Sequence, residues 1–171
     1  MLECEVKFGF GSAEEAEKLL ESRKVRLSAP AREENAILDN RDRTLALGRI
    51  LFRIRSTGGR TIMTVKTPVE SDRMKIRREL ETVVACPPEV LERMFEPLGF
   101  RVVRRYSKTR RTGKLGDATL CLDVLHFGTF LEIEAPSPGS LETAARALGL
   151  DPAEGLRETY IQLEDRAALH G

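Results

Sequence analysis

Charged residues spaced two apart recur along this chain, and their types define the chemistry open to it. Leu2-Glu3-Cys4-Glu5-Val6-Lys7-Phe8 sets two carboxylates and an ammonium against apolar neighbours in strict alternation. The pattern returns in Phe52-Arg53-Ile54-Arg55, Arg77-x-Glu79-x-Glu81, Lys108-x-Arg110 and Glu132-x-Glu134, with Asp123 and Lys66 in similar runs. On a pleated strand, residues two apart share a face and lie about 6.6 Å apart along the chain. One such segment is what any half-buried strand shows, with its polar side in water. Repetition on strand after strand asks for a common destination.

The residue types name the chemistry. Carboxylates without histidine companions suit Mg2+ or Mn2+, hard ions that take oxygen ligands and share them with substrate phosphates. Arginine pairs on a rigid strand suit bidentate phosphate recognition, and lysines serve as point charges. Phosphoryl or nucleotidyl transfer needs both, metal to neutralise developing charge and bases to hold the phosphate chain in line. The acids are Glu3, Glu5, Glu79, Glu81, Asp123, Glu132 and Glu134; the bases are Lys7, Arg53, Arg55, Lys66, Lys108 and Arg110.

The elements that must position these groups are readable in outline. The opening strand breaks at Gly9 and Gly11, and Ser12-Ala13-Glu14-Glu15 matches a capping box for a helix running to about Arg23. Pro30 ends a short segment, and 35–40 reads as a modest strand. A strand over 49–55 is followed by the hairpin signal Gly58-Gly59 and a returning strand from Arg60 to Thr67, stopped by Pro68. After a polar loop at 69–74 comes a strand from Lys75 to Val84. A helix over 88–98 carries Val90, Leu91, Met94 and Leu98, with Gly99 as its stop. Phe100 to Arg110 reads as a strand, with turns at Thr112-Gly113 and Gly116-Asp117. Strands over 118–125 and 129–134 flank a turn at Gly128. Helices over 140–148 and 152–168, the second started by Pro152, complete the chain.

The opposite faces of these strands are apolar: Val6 and Phe8, Phe52 and Ile54, Leu120 and Leu122, Leu131 and Ile133. Amphipathic helices can cover them, which turns the charged faces toward one another. Buried dry, each charge costs several kcal/mol, so that interior must hold water or ligand. Hairpin signals without βαβ alternation indicate an α+β fold with an antiparallel sheet, closed into a β-barrel of about eight strands with a polar, charged lumen and flanking helices.

Composition sets the bounds. The length fits a single domain, 1–171, and 28 basic against 27 acidic residues leave a net charge of +1, so no global field points to nucleic acid or membrane. Cys4, Cys86 and Cys121 have no disulfide or zinc spacing and read as free thiols. The first residues lack a secretory apolar run, and no apolar stretch approaches the ~18 residues of a spanning helix. A cytoplasmic protein is expected.

The ordered motifs resemble those of the CYTH superfamily, the triphosphate tunnel metalloenzymes. Glu3-x-Glu5-x-Lys7 resembles its ExExK signature. The likeness continues through Phe52-Arg53-Ile54-Arg55, Thr64-Val65-Lys66-Thr67-Pro68 and Arg77-Arg78-Glu79-Leu80-Glu81-Thr82. It resumes at Lys108-Thr109-Arg110, Leu122-Asp123 and Gly128-Thr129-Phe130-Leu131-Glu132-Ile133-Glu134. The resemblance implies a closed eight-stranded antiparallel tunnel that acts on a triphosphate (ATP, thiamine triphosphate or tripolyphosphate) with Mg2+ or Mn2+. It implies catalytic roles for Glu3, Glu5 and Lys7. It assigns metal binding to Glu3, Glu5, Glu79, Glu81, Asp123, Glu132 and Glu134, and triphosphate binding to Lys7, Arg53, Arg55, Lys66, Lys108 and Arg110. Length, Glu79-x-Glu81-Thr82 and Glu158-Thr159-Tyr160 look most like the class IV adenylate cyclases, with triphosphatases as the alternative and a non-catalytic polyphosphate- or nucleotide-binding module as a second. The sequence departs from the family at 36–39, where Ala-Ile-Leu-Asp replaces an aromatic-rich segment, after Arg110, where Arg111-Thr112-Gly113 lacks a common tyrosine, and at Phe127-Gly128. None of these departures touches the charged set.

Competing readings are weaker. Arg101 to Lys114 holds seven basic residues and no acid, with Phe100 and Tyr106 for stacking, yet Lys108 and Arg110 already belong to the lumen, which argues against nucleic acid. His126 and His170 lack a second histidine at ligand spacing and read as turn and surface residues. Tyr160 reads as a packing residue, with approach to the tunnel mouth as the alternative. Apolar strand faces left uncovered by helices would favour a homodimer.

Overall fold

Alternation carries the chain through eight antiparallel strands that close on themselves. The computed structural model describes residues 1–71 and 75–170; of the polar loop expected over 69–74, residues 72–74 lie outside the described residues, as does the side chain of His170. The strands are β1 (Leu2–Phe10), β2 (Ala31–Asn40), β3 (Leu51–Thr57), β4 (Arg60–Val69), β5 (Lys75–Val84), β6 (Phe100–Leu115), β7 (Ala118–Leu125) and β8 (Gly128–Ala135). Their order around the barrel is β1-β5-β4-β3-β2-β6-β7-β8, and β8 returns to β1. The opening strand is therefore the stave that closes the wall.

Helices cover the outside. Ser12 accepts from the Glu15 amide and caps α1 (Ala13–Ser22), while Glu15 reaches back to the Gly11 N–H. Leu20 of α1 joins Leu141, Ala144 and Ala145 of α4 (Pro138–Ala147) over Val6, Phe8, Leu120, Leu131 and Ile133, and Ala16 of α1 is buried as well. A short turn of helix, α2 (Thr44–Leu47), rests its Leu45 and Ala46 amides on the buried Asp39 carboxylate. Leu91 and Phe95 of α3 (Pro88–Phe95) pack on Leu38, Phe52 and Ile54. Leu80, Met94 and Leu98 remain exposed.

The last helix does something else. Tyr160 and Leu163 of α5 (Tyr160–His170) pack on Leu125 and Phe130. Those two residues have the same strand parity as Asp123 and Glu132, so they belong to the inner wall. One end of the barrel is thus stoppered by α5 with an apolar plug.

Several expected boundaries shift, for local reasons. β1 continues through Gly9 to Phe10, and β2 begins at Ala31 rather than 35. β3 starts at Leu51 because Arg49 adopts positive φ, 55°. Pro68 does not stop β4: it pairs across from Arg77 and the strand runs to Val69. The 88–98 helix ends at Phe95 and finishes as a 3-10 turn over Glu96–Leu98 before Gly99. No turn forms at Thr112-Gly113; β6 runs on to Leu115, and Gly113 serves close approach instead. A Cβ there would lie 2.7 Å from Val25 Cγ1 and 3.0 Å from the Arg26 carbonyl oxygen. Pro152 opens only a 3-10 turn (Pro152–Glu154), and the final helix starts at Tyr160. Gly58 and Gly59 form the expected hairpin turn, both at positive φ.

Candidate functional site: a charged tunnel

Strand parity and register bring every charged residue singled out in the sequence onto one inner surface. Lys7 lies opposite Glu132, and Glu5 opposite Glu134. Glu3 lies opposite Arg77, Lys66 opposite Glu79, and Arg110 opposite Asp123. Arg53 and Arg55 lie beside Thr64 and Ile62 of β4. Lys7, Arg53, Lys108, Asp123 and Glu132 are buried among them.

At the centre, Asp123 is fully buried and accepts from Lys108 Nζ at 2.9 Å, Arg110 Nη2 at 2.6 Å and the Tyr160 hydroxyl at 2.7 Å. Glu132 takes Lys7 at 2.7 Å and Arg110. Burial pushes the Glu132 carboxyl up, but Lys7, Lys108 and Arg110 together hold it well below the usual carboxylate range. Burial pulls the Lys7 ammonium down, and Glu132 and Glu5 outweigh it, so Lys7 stays charged. Its Nζ also sits 4.4 Å from the Tyr160 ring centroid, with Lys108 Nζ at 4.9 Å.

Around the wall, Lys66 bridges Glu3 and, at 3.3 Å, Glu79. Lys75 pairs with Glu5. Arg53 reaches Glu81 at 3.7 Å, and Thr64 donates to Glu81 at 2.8 Å. Arg55 pairs with Glu33 at 3.3 Å. Burial pushes the Glu3 carboxyl up to about 7; Lys66 opposes this, while Glu134 and Glu5 reinforce it. Burial also lowers the Arg55 guanidinium, with Arg53 beside it acting in the same direction. Among the described residues, the buried Arg53 Nε, Arg55 Nε, Glu33 Oε2 and both polar atoms of the Asn35 amide have no hydrogen-bond partner. The three nitrogens of this set, next to paired guanidinium groups, suit an oxyanion.

The residues fit a divalent cation by donor chemistry. Among the described residues no three carboxylate, histidine or cysteine groups converge on one point; the carboxylates turn to lysine and arginine instead. Among the described residues the lumenal carboxylates offer hard oxygens, and Glu5 and Glu134 both repel Glu3. A hard cation relieves that repulsion and a polyanion takes over the displaced ammonium and guanidinium groups.

Several lumenal residues were not singled out from the sequence. Glu33 lies outside the expected 35–40 strand because β2 starts four residues earlier than its apolar pattern suggests, and Asn35, at the start of that strand, has no charge to mark it. Lys75 shares the parity of Arg77, Glu79 and Glu81, so the alternation of β5 carries it to the lumen as well, opposite Glu5. Tyr160, read as packing, also faces the lumen: it both plugs the barrel and donates to Asp123. Its placement depends on Gly155, where a Cβ would lie 2.1 Å from Val6 Cγ2, and on the Leu156 amide donating to the Lys7 carbonyl at 2.7 Å. His126 is exposed beside Glu164, and all three cysteines are free thiols.

The tunnel recurs in solved structures. The PH1012 protein from Pyrococcus horikoshii OT3 superposes with a TM-score of 0.79 at 26% identity, covering 94% of this chain and 98% of that one. A "putative adenylate cyclase" from Vibrio parahaemolyticus gives 0.80 at 19% identity, covering 96% and 98%. A Hippeastrum protein, HpAC1, described as having a dominant triphosphatase activity, gives 0.66 at 16% identity, covering 96% and 95%. At such identities the last two show a shared fold. No curated protein matches the chain. The model of the CYTH domain matches residues 1–164, and with the ordered charged motifs lining a closed eight-stranded tunnel, the chain belongs to the CYTH domain family.

Proposed function

We propose that this protein is a divalent-metal-dependent enzyme acting on a triphosphate held in the tunnel. The observation that carries this reading is the lumen itself, in which Lys7, Arg53, Arg55, Lys66, Lys108 and Arg110 face Glu3, Glu5, Glu79, Glu81, Asp123, Glu132 and Glu134. The six bases hold the phosphate oxygens. Glu3, Glu5 and Glu134 lead the acidic set that would hold Mg2+ or Mn2+, which when bound supplies charge neutralisation at the phosphoryl oxygens. Lys7, kept charged by Glu132 and fixed over Tyr160, orients the phosphate chain. The α5 plug keeps bulk water from that end. The motif likeness favours the class IV adenylate cyclase reaction, in which the ribose 3′-hydroxyl of ATP attacks the α-phosphorus and pyrophosphate leaves.

One observation favours hydrolysis as a second reading. Of the aromatic rings facing the lumen, Tyr160 is already engaged by Lys7, Lys108 and Asp123, and its neighbour Tyr106 packs in the same plug. Little is left to stack a base. The HpAC1 description points the same way. Incubation with Mg2+ or Mn2+ and ATP, tripolyphosphate or thiamine triphosphate, followed by product identification, separates the two. Cyclic AMP with pyrophosphate establishes the cyclase; orthophosphate without a cyclic product establishes the hydrolase. Tight binding without turnover of any of the three would leave a binding module and overturn the enzyme.

A further inference from the structure

The stoppered end of the tunnel has a counterpart. Beyond the acids Glu5 and Glu134, a cavity of about 440 Å³ is lined by Lys24, Arg26, Thr112, Gly113, Lys114 and Thr119. That is roughly fifteen times the ~30 Å³ share of one water, room for several hydrated phosphate units. It continues the inner wall: Thr112 lies opposite Cys121, Lys114 opposite Thr119, and Thr119 opposite Glu134. Lys24 and Arg26 arrive from the segment after α1, which crosses β6 at the close approach that Gly113 permits. The Ser28 amide and the Thr112 carbonyl pin it there at 2.8 Å.

The charge here differs from the rest of the lumen. Deeper in the lumen Lys7, Arg53, Arg55, Lys66, Lys75, Lys108 and Arg110 are each met by a carboxylate, whereas Lys24, Arg26 and Lys114 form no ion pair among the described residues; Lys114 Nζ donates only to the Thr119 hydroxyl, at 2.7 Å. No acid and no aromatic ring lines the cavity. We propose that this vestibule is an anion subsite for the phosphates of a linear inorganic polyphosphate that overhang the three units held in the tunnel. The inference rests on the triphosphate reading of the lumen and extends it to longer chains. The α5 plug leaves an overhanging chain this direction to follow. The absence of rings disfavours a nucleic acid, which would call for base stacking. The neighbouring basic run agrees, since Arg104, Arg105 and Arg111 are already taken by Glu164, Glu92 and Glu17.

Calorimetric titration in Mg2+ with tripolyphosphate and with linear pentaphosphate tests this. The pentaphosphate should bind more tightly, with a steeper salt dependence. The triple variant Lys24→Ala, Arg26→Ala, Lys114→Ala removes three exposed side chains. It should weaken pentaphosphate about tenfold and leave tripolyphosphate within about twofold. Lys114→Glu, a single exposed change, should act in the same direction. Equal affinity for the two ligands in the wild type, or an equal loss for both in the variant, overturns the vestibule while leaving the triphosphate reading standing. Tighter binding of a 5′-triphosphorylated RNA oligonucleotide than of pentaphosphate also overturns it. Pentaphosphate binding that the triple variant abolishes, with no binding of tripolyphosphate, would instead support the vestibule and sink the reading of the lumen.

Discussion

Glu3 pairs with Lys66 and still has a carboxyl pushed up to about 7, because burial, Glu134 and Glu5 outweigh the lysine. Between the ordinary 4.5 and about 7 the folded chain binds a proton that the unfolded chain has released. Stability from this group is therefore fully present below about 4.5 and is lost as pH rises toward 7, by about 3 kcal/mol in all. In metal-free buffer, Glu3→Gln should flatten that slope in urea unfolding and gain stability near pH 8. A variant that keeps the wild-type slope would assign the loss to another group. Glu132 is the opposite case, held ionised by Lys7, Lys108 and Arg110. Glu132→Gln preserves shape and removes the charge that aligns two phosphate-facing bases. Metal-dependent turnover should fall at least about 100-fold, the scale of losing one preorganised electrostatic group, with an unchanged circular dichroism spectrum. Unaltered activity would place the site elsewhere.

At the scale of elements, the strands were legible and the joints were not. Alternation marks β1, β3, β5 and β8 because one face is charged and the other largely apolar along most of each strand, and β7 through its apolar face of Ala118, Leu120, Leu122 and Val124 with Asp123 on the other. It fails for β2, where Arg32-Glu33-Glu34-Asn35 offers no apolar partner face and pairing to both β3 and β6 makes the strand. Pro68 and Gly113 read as breakers since their local preferences are those of turns, yet tertiary pairing keeps both in strands. Of the site, the charged set was legible by parity; Tyr160 as a lumenal residue was not, because nothing local shows that the chain crosses β1 before α5. Gly155 makes that crossing. Gly155→Ala would drive a methyl into Val6, break the Leu156 to Lys7 hydrogen bond and shift Tyr160 from Asp123. It should cost about 1–3 kcal/mol and lower activity alongside Tyr160→Phe. A Gly155→Ala protein with wild-type melting temperature and activity would show that the crossing does not position the plug.

The whole molecule is a closed wall around charges that already answer one another. Every lumenal carboxylate singled out above is met by a lysine, arginine or hydroxyl, so a polyanion alone, or a divalent cation alone, puts uncompensated charge into a buried space. Together they exchange partners, the bases going to phosphate and the acids to metal, and the balance is kept. Binding of the two should therefore be coupled, each raising the affinity of the other. A ligand bound only by the folded state at a hundred times its dissociation constant adds about 2.7 kcal/mol. For a chain of this size that is a rise of roughly 5–10 °C in melting temperature. Tripolyphosphate with Mg2+ should reach that range, each alone should give less than about half of it, and EDTA should return the complex to the value for tripolyphosphate alone. Separate shifts that simply add would mean that the two do not enter the tunnel as a set. The balance of charge seen across the wall would then serve the fold rather than a reaction.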